Sequence, residues 1–181
     1  MSLATNGSRR ATGEARGLGG ALVYTRANVL AGLVIFTGGD TLAAGIAGEL
    51  SWTRALGVAL LGSTLYAVEI PSWFAWIDRA APDRRWPGPA LLRTALAQLL
   101  FNPFWIARHL FFLKLFAGEH AAIGWDLFRV GAESFVYSLP FALAANHLIQ
   151  NRAGPRRRFA WSSLFSAAMA VYYAVSEVLL R

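Results

Sequence analysis

Cysteine is absent from the 181 residues, so no disulfide framework, thiolate zinc site or thiol nucleophile can be built. Lysine is nearly absent too: Lys114 stands alone, and the net charge of +7 comes almost wholly from arginine. Histidine is sparse, and His109, His120 and His147 are scattered without a closely spaced second ligand, which argues against a metal site. No GxSxG elbow, HExxH pair, phosphate loop or dinucleotide fingerprint occurs. With those chemistries missing, neither an enzyme nor a cofactor is expected. Charge is scarce as well, at 15% of residues, against 56% hydrophobic, a balance too apolar for an ordinary soluble domain of this size. A basic nucleic-acid binder concentrates its charge on one solvated face of a polar fold. Here the arginines sit between apolar segments, so nucleic acid is not an expected partner.

What the chain has in quantity is long apolar runs and aromatic rings. Five stretches, roughly residues 22–48, 53–77, 89–117, 127–150 and 158–180, are each about 23 to 29 residues long. At about 1.5 Å per residue, each crosses a hydrocarbon layer of about 30 Å with some tilt. The reading is an all-α, multipass transmembrane bundle of about five helices, forming a single membrane-embedded domain over residues 21–181. Seven Trp, twelve Phe and five Tyr suit the water–lipid boundary. Residues 1–20, rich in Gly, Ser, Thr and Arg, read as a disordered basic tail without a signal peptide's apolar core. An organelle transit peptide is the other reading of that tail, and a basic cytoplasmic tail is the simpler one.

The connectors give an independent check. Arginines gather in the tail and the entry to the first helix (Arg9, Arg10, Arg16, Arg26), between the second and third helices (Arg79, Arg84, Arg85, Arg93), and between the fourth and fifth (Arg152, Arg156, Arg157, Arg158). The opposite connectors carry few. Five crossings under the positive-inside rule produce this alternation and place the N-terminus inside. A soluble helical bundle is the competing reading, and the number and length of the apolar runs count against it.

The stretch FNPFWIARHLFFLKLF (101–116) raises the functional question, because so apolar a segment holds Asn102, Arg108, His109 and Lys114. On a helical wheel of about 100° per residue, Thr94, Gln98, Asn102 and His109 fall within about 80° of one another. A second stripe is expected on the fourth helix from Glu133, Tyr137, Pro140, Ala144 and His147, and a third on the fifth from Ser162, Ser166, Tyr173 and Ser176. Against lipid an unpartnered polar group costs several kcal/mol, so these faces are expected to turn inward. They either satisfy one another as hydrogen-bonded glue or line a path for a solute or ion. Ala55, Ala59, Ser63 and Ala67 form a small-residue ridge on the second helix, a packing signal.

With those residues in view, the chain resembles the Mpv/PMP family, which comprises the peroxisomal membrane protein of twenty-two kilodaltons and the mitochondrial inner-membrane Mpv protein. Gly39-Asp40, Asp78-Arg79 with Pro82, Gln98 with Phe101 and Pro103, and Pro140 with Asn146 are similar to that family's motifs, in order, over residues 24–180. Ala97 and Leu139 depart from it, standing where the family has Asp and Trp. A looser similarity, to the small bacterial alanine exporters, lies around FNPF and IPSWFAWIDR. Membership of Mpv/PMP implies a multipass helical protein acting as a pore or small-solute channel, and adds no catalytic residue.

The expected function is therefore a channel or small-solute pore. Its path would be lined by Asp40, Gln98, Asn102, Arg108, His109, Glu133, Tyr137, Asn146 and His147, with Asp40 and Glu133 setting cation preference. A non-transporting assembly protein and an exporter of small, amino-acid-like metabolites are the alternatives. The expected partners are the lipid bilayer and a small polar solute or ion, with a homo-oligomer left open. The expected location is a bacterial inner membrane, or alternatively a mitochondrial inner or peroxisomal one.

Overall fold

A computed structural model of the chain describes residues 22–82 and 87–180, without the side chains of Ser176, Glu177 and Leu180. The basic tail and Arg84, Arg85 and Arg181 lie outside the described residues. Five long helices account for nearly all of the rest: α1 (Arg26–Ala47), α2 (Trp52–Ala80), α3 (Pro87–Ala117), α4 (Asp126–Asn151) and α5 (Pro155–Leu180), with one short 3₁₀ turn at His120–Ala122. The fold is an all-α bundle, with helix bounds within a few residues of the apolar stretches.

The ends follow local chemistry. Thr25 caps α1 by accepting from the Asn28 amide at 3.2 Å, and Ser51 caps α2 by accepting from Arg54 at 3.4 Å. Gly48 (φ 76°) and Gly118 (φ 78°) stop α1 and α3 in the left-handed conformation that glycine adopts without steric cost. The Gly-Pro pair after α4 does more than break a helix, since Pro155 opens α5 at a position where a missing N–H costs nothing. Both α2 and α3 contain a wider π-helical turn, at Gly62–Tyr66 and Leu96–Phe101. Each lies shortly before a proline, Pro71 or Pro103, whose ring crowds the carbonyl four residues back.

Cross-helix contacts fix the directions. Gly32 meets Gly62 and Asp40 meets Arg54, so α2 runs antiparallel to α1. Tyr66 meets His109, Gln98 meets Asn146, and Ser134 meets Tyr173, so the chain continues to alternate up and down. Gly32 lies by Phe159 and Gly39 on Ala167, which makes α1 and α5 parallel neighbours. Arg26, Arg79, Arg93, Arg152, Arg156, Arg157 and Arg158 are thereby collected at one end of the bundle.

The bundle's outside is apolar. Leu30, Val34, Leu56, Leu60, Phe104, Val136 and Phe141 are all exposed, a belt far larger than water-soluble proteins carry. Trp52 and Trp125, each 86% exposed, sit together at the end away from the arginines. Among the described residues, three helices, α1, α2 and α3, are long and apolar enough to cross a membrane. In α4, Asp126, Arg129, Glu133, His147 and Gln150 lower the mean hydropathy.

Where lipid surrounds the bundle, helices associate through close packing rather than burial of grease. A Cβ on Gly32 would strike the Gly62 carbonyl, one on Gly57 the Phe116 ring, and one on Gly39 the Ala167 side chain. The close approach on α2 is made by Gly57 and Gly62, one row over from the expected alanine ridge, whose Ser63 instead donates back to Ala59 O at 2.8 Å. Gly32→Ala should destabilise the protein by about 1–3 kcal/mol, as overpacking does, and lower its melting temperature in detergent. Gly38→Ala, at a position with nothing within 4 Å, should leave it unchanged.

Candidate functional site

Packing at the glycines draws α1 against α2 and α5, while α3 and α4 stand off on the other side. Between α1, α3, α4 and α5 a cavity of about 360 Å³ remains. Its mouth is formed by Glu49, Arg54, Lys114 and Glu119, at the end away from the arginine cluster. Its walls carry Phe36, Trp105 and His109 on one side and Ser134, Ser138, Ser162, Ser166 and Tyr173 on the other. Asn102 and Asn146 line its deepest part. From Lys114 to Asn102 the helix rises about 18 Å, more than half of a hydrocarbon layer.

Beneath the cavity lies a layer of amides. Gln98 is fully buried, and its Oε1 accepts from Asn102 Nδ2 and from Asn146 Nδ2, both at 2.7 Å. Below that, His147 Nδ1 lies 3.2 Å from Thr94 Oγ1, and Asn151 donates to His147 O at 2.9 Å. Arg93, also buried, donates to Ala81 O at 2.6 Å. Buried Arg158 donates to both oxygens of Asp78 at 2.9 Å. These bonds fill the space among the described residues beneath the cavity, a vestibule whose charged lining residues lie towards the opposite end.

Of the nine residues singled out from the sequence, Asp40, Asn102, His109 and Asn146 line the vestibule. Gln98 lies just beneath its floor and His147 a layer further down. Asp40 is not a free carboxylate: Arg54 grips it from Nε and Nη2 at 2.7–3.2 Å, so its charge is spent on α2. His109 Nδ1 bonds the Tyr66 hydroxyl at 2.9 Å, and its ring stacks on Trp105 at 4.9 Å.

Arg108, Glu133 and Tyr137 lie away from the vestibule. Arg108 turns to α2, where its two terminal nitrogens take both oxygens of Glu69, a forked pairing that offsets removing a guanidinium from water. Glu133 pairs with Arg129 one turn earlier, at 3.1 Å, near the mouth end of α4. Tyr137 is 76% exposed on the bundle's outside. The face α4 turns inward is Gly131, Ser134, Ser138, Ala142 and Asn146, next to the stripe expected from its ionisable residues. Small residues let α4 approach α3, with Gly131 against Ala107, whereas Glu133 already has a partner on its own helix.

Arg54, Tyr66, Ser134 and Ser138 were not singled out in advance. For Arg54 a signal exists, since it and Asp40 stand equally far from Ala47 on either side of the α1–α2 turn, as do Gly32 and Gly62. Among the described residues no group of three or more His, Cys, Asp or Glu could hold a metal ion. No family model, curated protein or solved structure matches the chain.

Removing one member of a buried ion pair strands the other, at a cost of about 3–5 kcal/mol. Asp40→Asn should therefore lower the melting temperature sharply, and adding Arg54→Gln should recover most of the loss. A double variant no more stable than the single would show that the pairing contributes little.

Proposed function

We propose that the protein is an integral membrane transport protein that admits a small solute through the vestibule between α1, α3, α4 and α5. The observation that carries this is the depth of the vestibule: it passes the middle of the bundle and ends on the amides Asn102 and Asn146. All five helices cross the bilayer in this reading, including α4 and α5, which pack alongside the apolar helices in strict alternation. The arginine-rich end then faces the inside by the positive-inside rule, and the vestibule opens outward. The composition favours a bacterial inner membrane, with a mitochondrial inner or peroxisomal membrane as the alternative. The resemblance to the Mpv/PMP family leads to the same class and rests on its ordered motifs.

Among the described residues, the amide floor and the buried Arg93 and Arg158 layer fill the bundle beneath the vestibule, which favours a gated channel or a carrier held in its outward-open form over a constantly open one. The second reading is an assembly protein without transport, and the complete pairing of Asp40, Glu69 and Asp78 supports it. A protein that only glued helices together would have no reason to keep a cavity lined by serines and amides.

The native absence of cysteine gives a clean test. Asn102→Cys and Ser166→Cys should react with a membrane-impermeant maleimide added outside, while Thr94→Cys should not. Unreactive thiols at both vestibule positions would overturn the reading. Glu133→Gln should leave solute flux at the wild-type level, and a large loss there would place the path on the other side of α4.

A further inference from the structure

The charges around the vestibule cancel almost completely. Three acids and two bases line it: Asp40 is held by Arg54, and Glu119 by Lys114 at 2.5 Å. Glu49 is the one acid in excess, and it sits at the mouth, half exposed and within 3.8 Å of Arg54. Below the Asp40–Arg54 pair every group offered is neutral. An inorganic cation arriving there would meet no unbalanced carboxylate to replace the waters it sheds. The cation preference expected of Asp40 and Glu133 thus loses its basis, since one is neutralised and the other lies outside.

What the floor offers instead is hydrogen bonds of both senses. Among the described residues, Asn102 Nδ2 and Asn146 Nδ2 each give one N–H to Gln98 Oε1 and keep a second, and the Oδ1 atoms of both hold no hydrogen bond. The two floor amides thus carry unspent N–H donors and unspent carbonyl acceptors, close together and without charge. Phe36 and Trp105 supply apolar wall around them, and the volume lies near the lower bound, roughly 300 Å³, of sites for small molecules.

We infer that the vestibule selects a small solute of zero net charge that both accepts and donates hydrogen bonds, with a carboxamide-like or zwitterionic head, and excludes inorganic cations. This rests on the transport reading above and names its substrate class. Asn146 and Asn102 hold the head through hydrogen bonds of both senses, Trp105 walls it, and the Asp40–Arg54 pair bounds the site without leaving an open charge.

The test uses the full chain in liposomes, with swelling in acetamide, uptake of labelled glycine and uptake of rubidium measured side by side. Acetamide and glycine separate an uncharged head from a zwitterionic one. At least one of them should enter about tenfold faster than in protein-free vesicles, and rubidium should not. Asn146→Leu should cut that flux about tenfold, and Asn102→Leu about three- to tenfold, as expected for the loss of neutral hydrogen bonds. The second variant stands if the first lowers the yield of folded protein. Asn146→Asp, which adds an unpaired carboxylate, should admit rubidium. Rubidium entry through the wild-type protein, or unchanged flux in both Asn146→Leu and Asn102→Leu, would overturn the substrate class. Entry of neither solute nor rubidium would overturn transport itself, whatever the maleimide labelling showed.

Discussion

Two backbones meet at Gly32 and Gly62, and much of the bundle is set by that contact. In hydrocarbon, apolar side chains gain nothing by leaving lipid for protein, so only a close fit or a polar contact can hold helices together. The absence of a Cβ at both positions lets α1 and α2 close on each other at a fixed register. That register brings Asp40 opposite Arg54, and the resulting forked ion pair fastens the far end of the same hairpin. With α5 seated on Gly39, α1 is pinned on two sides. The remaining helices cannot close the space in front of it, and the vestibule is what is left.

Three inter-helix ion pairs among the described residues share a logic. Asp40–Arg54, Glu69–Arg108 and Asp78–Arg158 each join α2 to a neighbour, and each uses arginine, which meets both carboxylate oxygens, through two nitrogens in the first two pairs and through Nη1 alone in the third. Such pairs contribute less through net stability than through the penalty on every arrangement that separates them. They act as register marks along α2, at its start, middle and end. The chain's near-exclusive use of arginine over lysine becomes intelligible on those terms.

The helices themselves were legible from apolar length, and their ends from Thr25, Ser51, Gly48, Gly118 and the prolines, because those signals are local. The alternating arginines told which ends lie together. The site was only partly legible. From Asn102 to His109 the regular helical repeat holds, and the face read from it does line the cavity. Thr94 and Gln98, before and within the π-turn at Leu96–Phe101, also face inward, but they lie two turns and one turn further along the axis, below the floor. On α4 the polar stripe misled, because a wheel ranks residues by polarity and cannot see that Arg129 satisfies Glu133 within the helix. Serines, weakly polar and small, carried the inward face instead. Which carboxylate belongs to which arginine depends on three-dimensional register, which composition does not encode.

The wide turns in α2 and α3 carry a consequence for how this chain can change over evolutionary time. A π-turn is an α-helix that has absorbed one surplus residue, so each of these helices holds two rigid halves whose faces are set independently. Loss of a single residue inside Leu96–Phe101 would restore an ordinary coil without shortening the span appreciably, yet would swing Thr94, before the turn, relative to Asn102, Trp105 and His109. One deletion could thus rewrite what lies beneath the floor of the vestibule while leaving the ion pairs and glycine contacts around it in place.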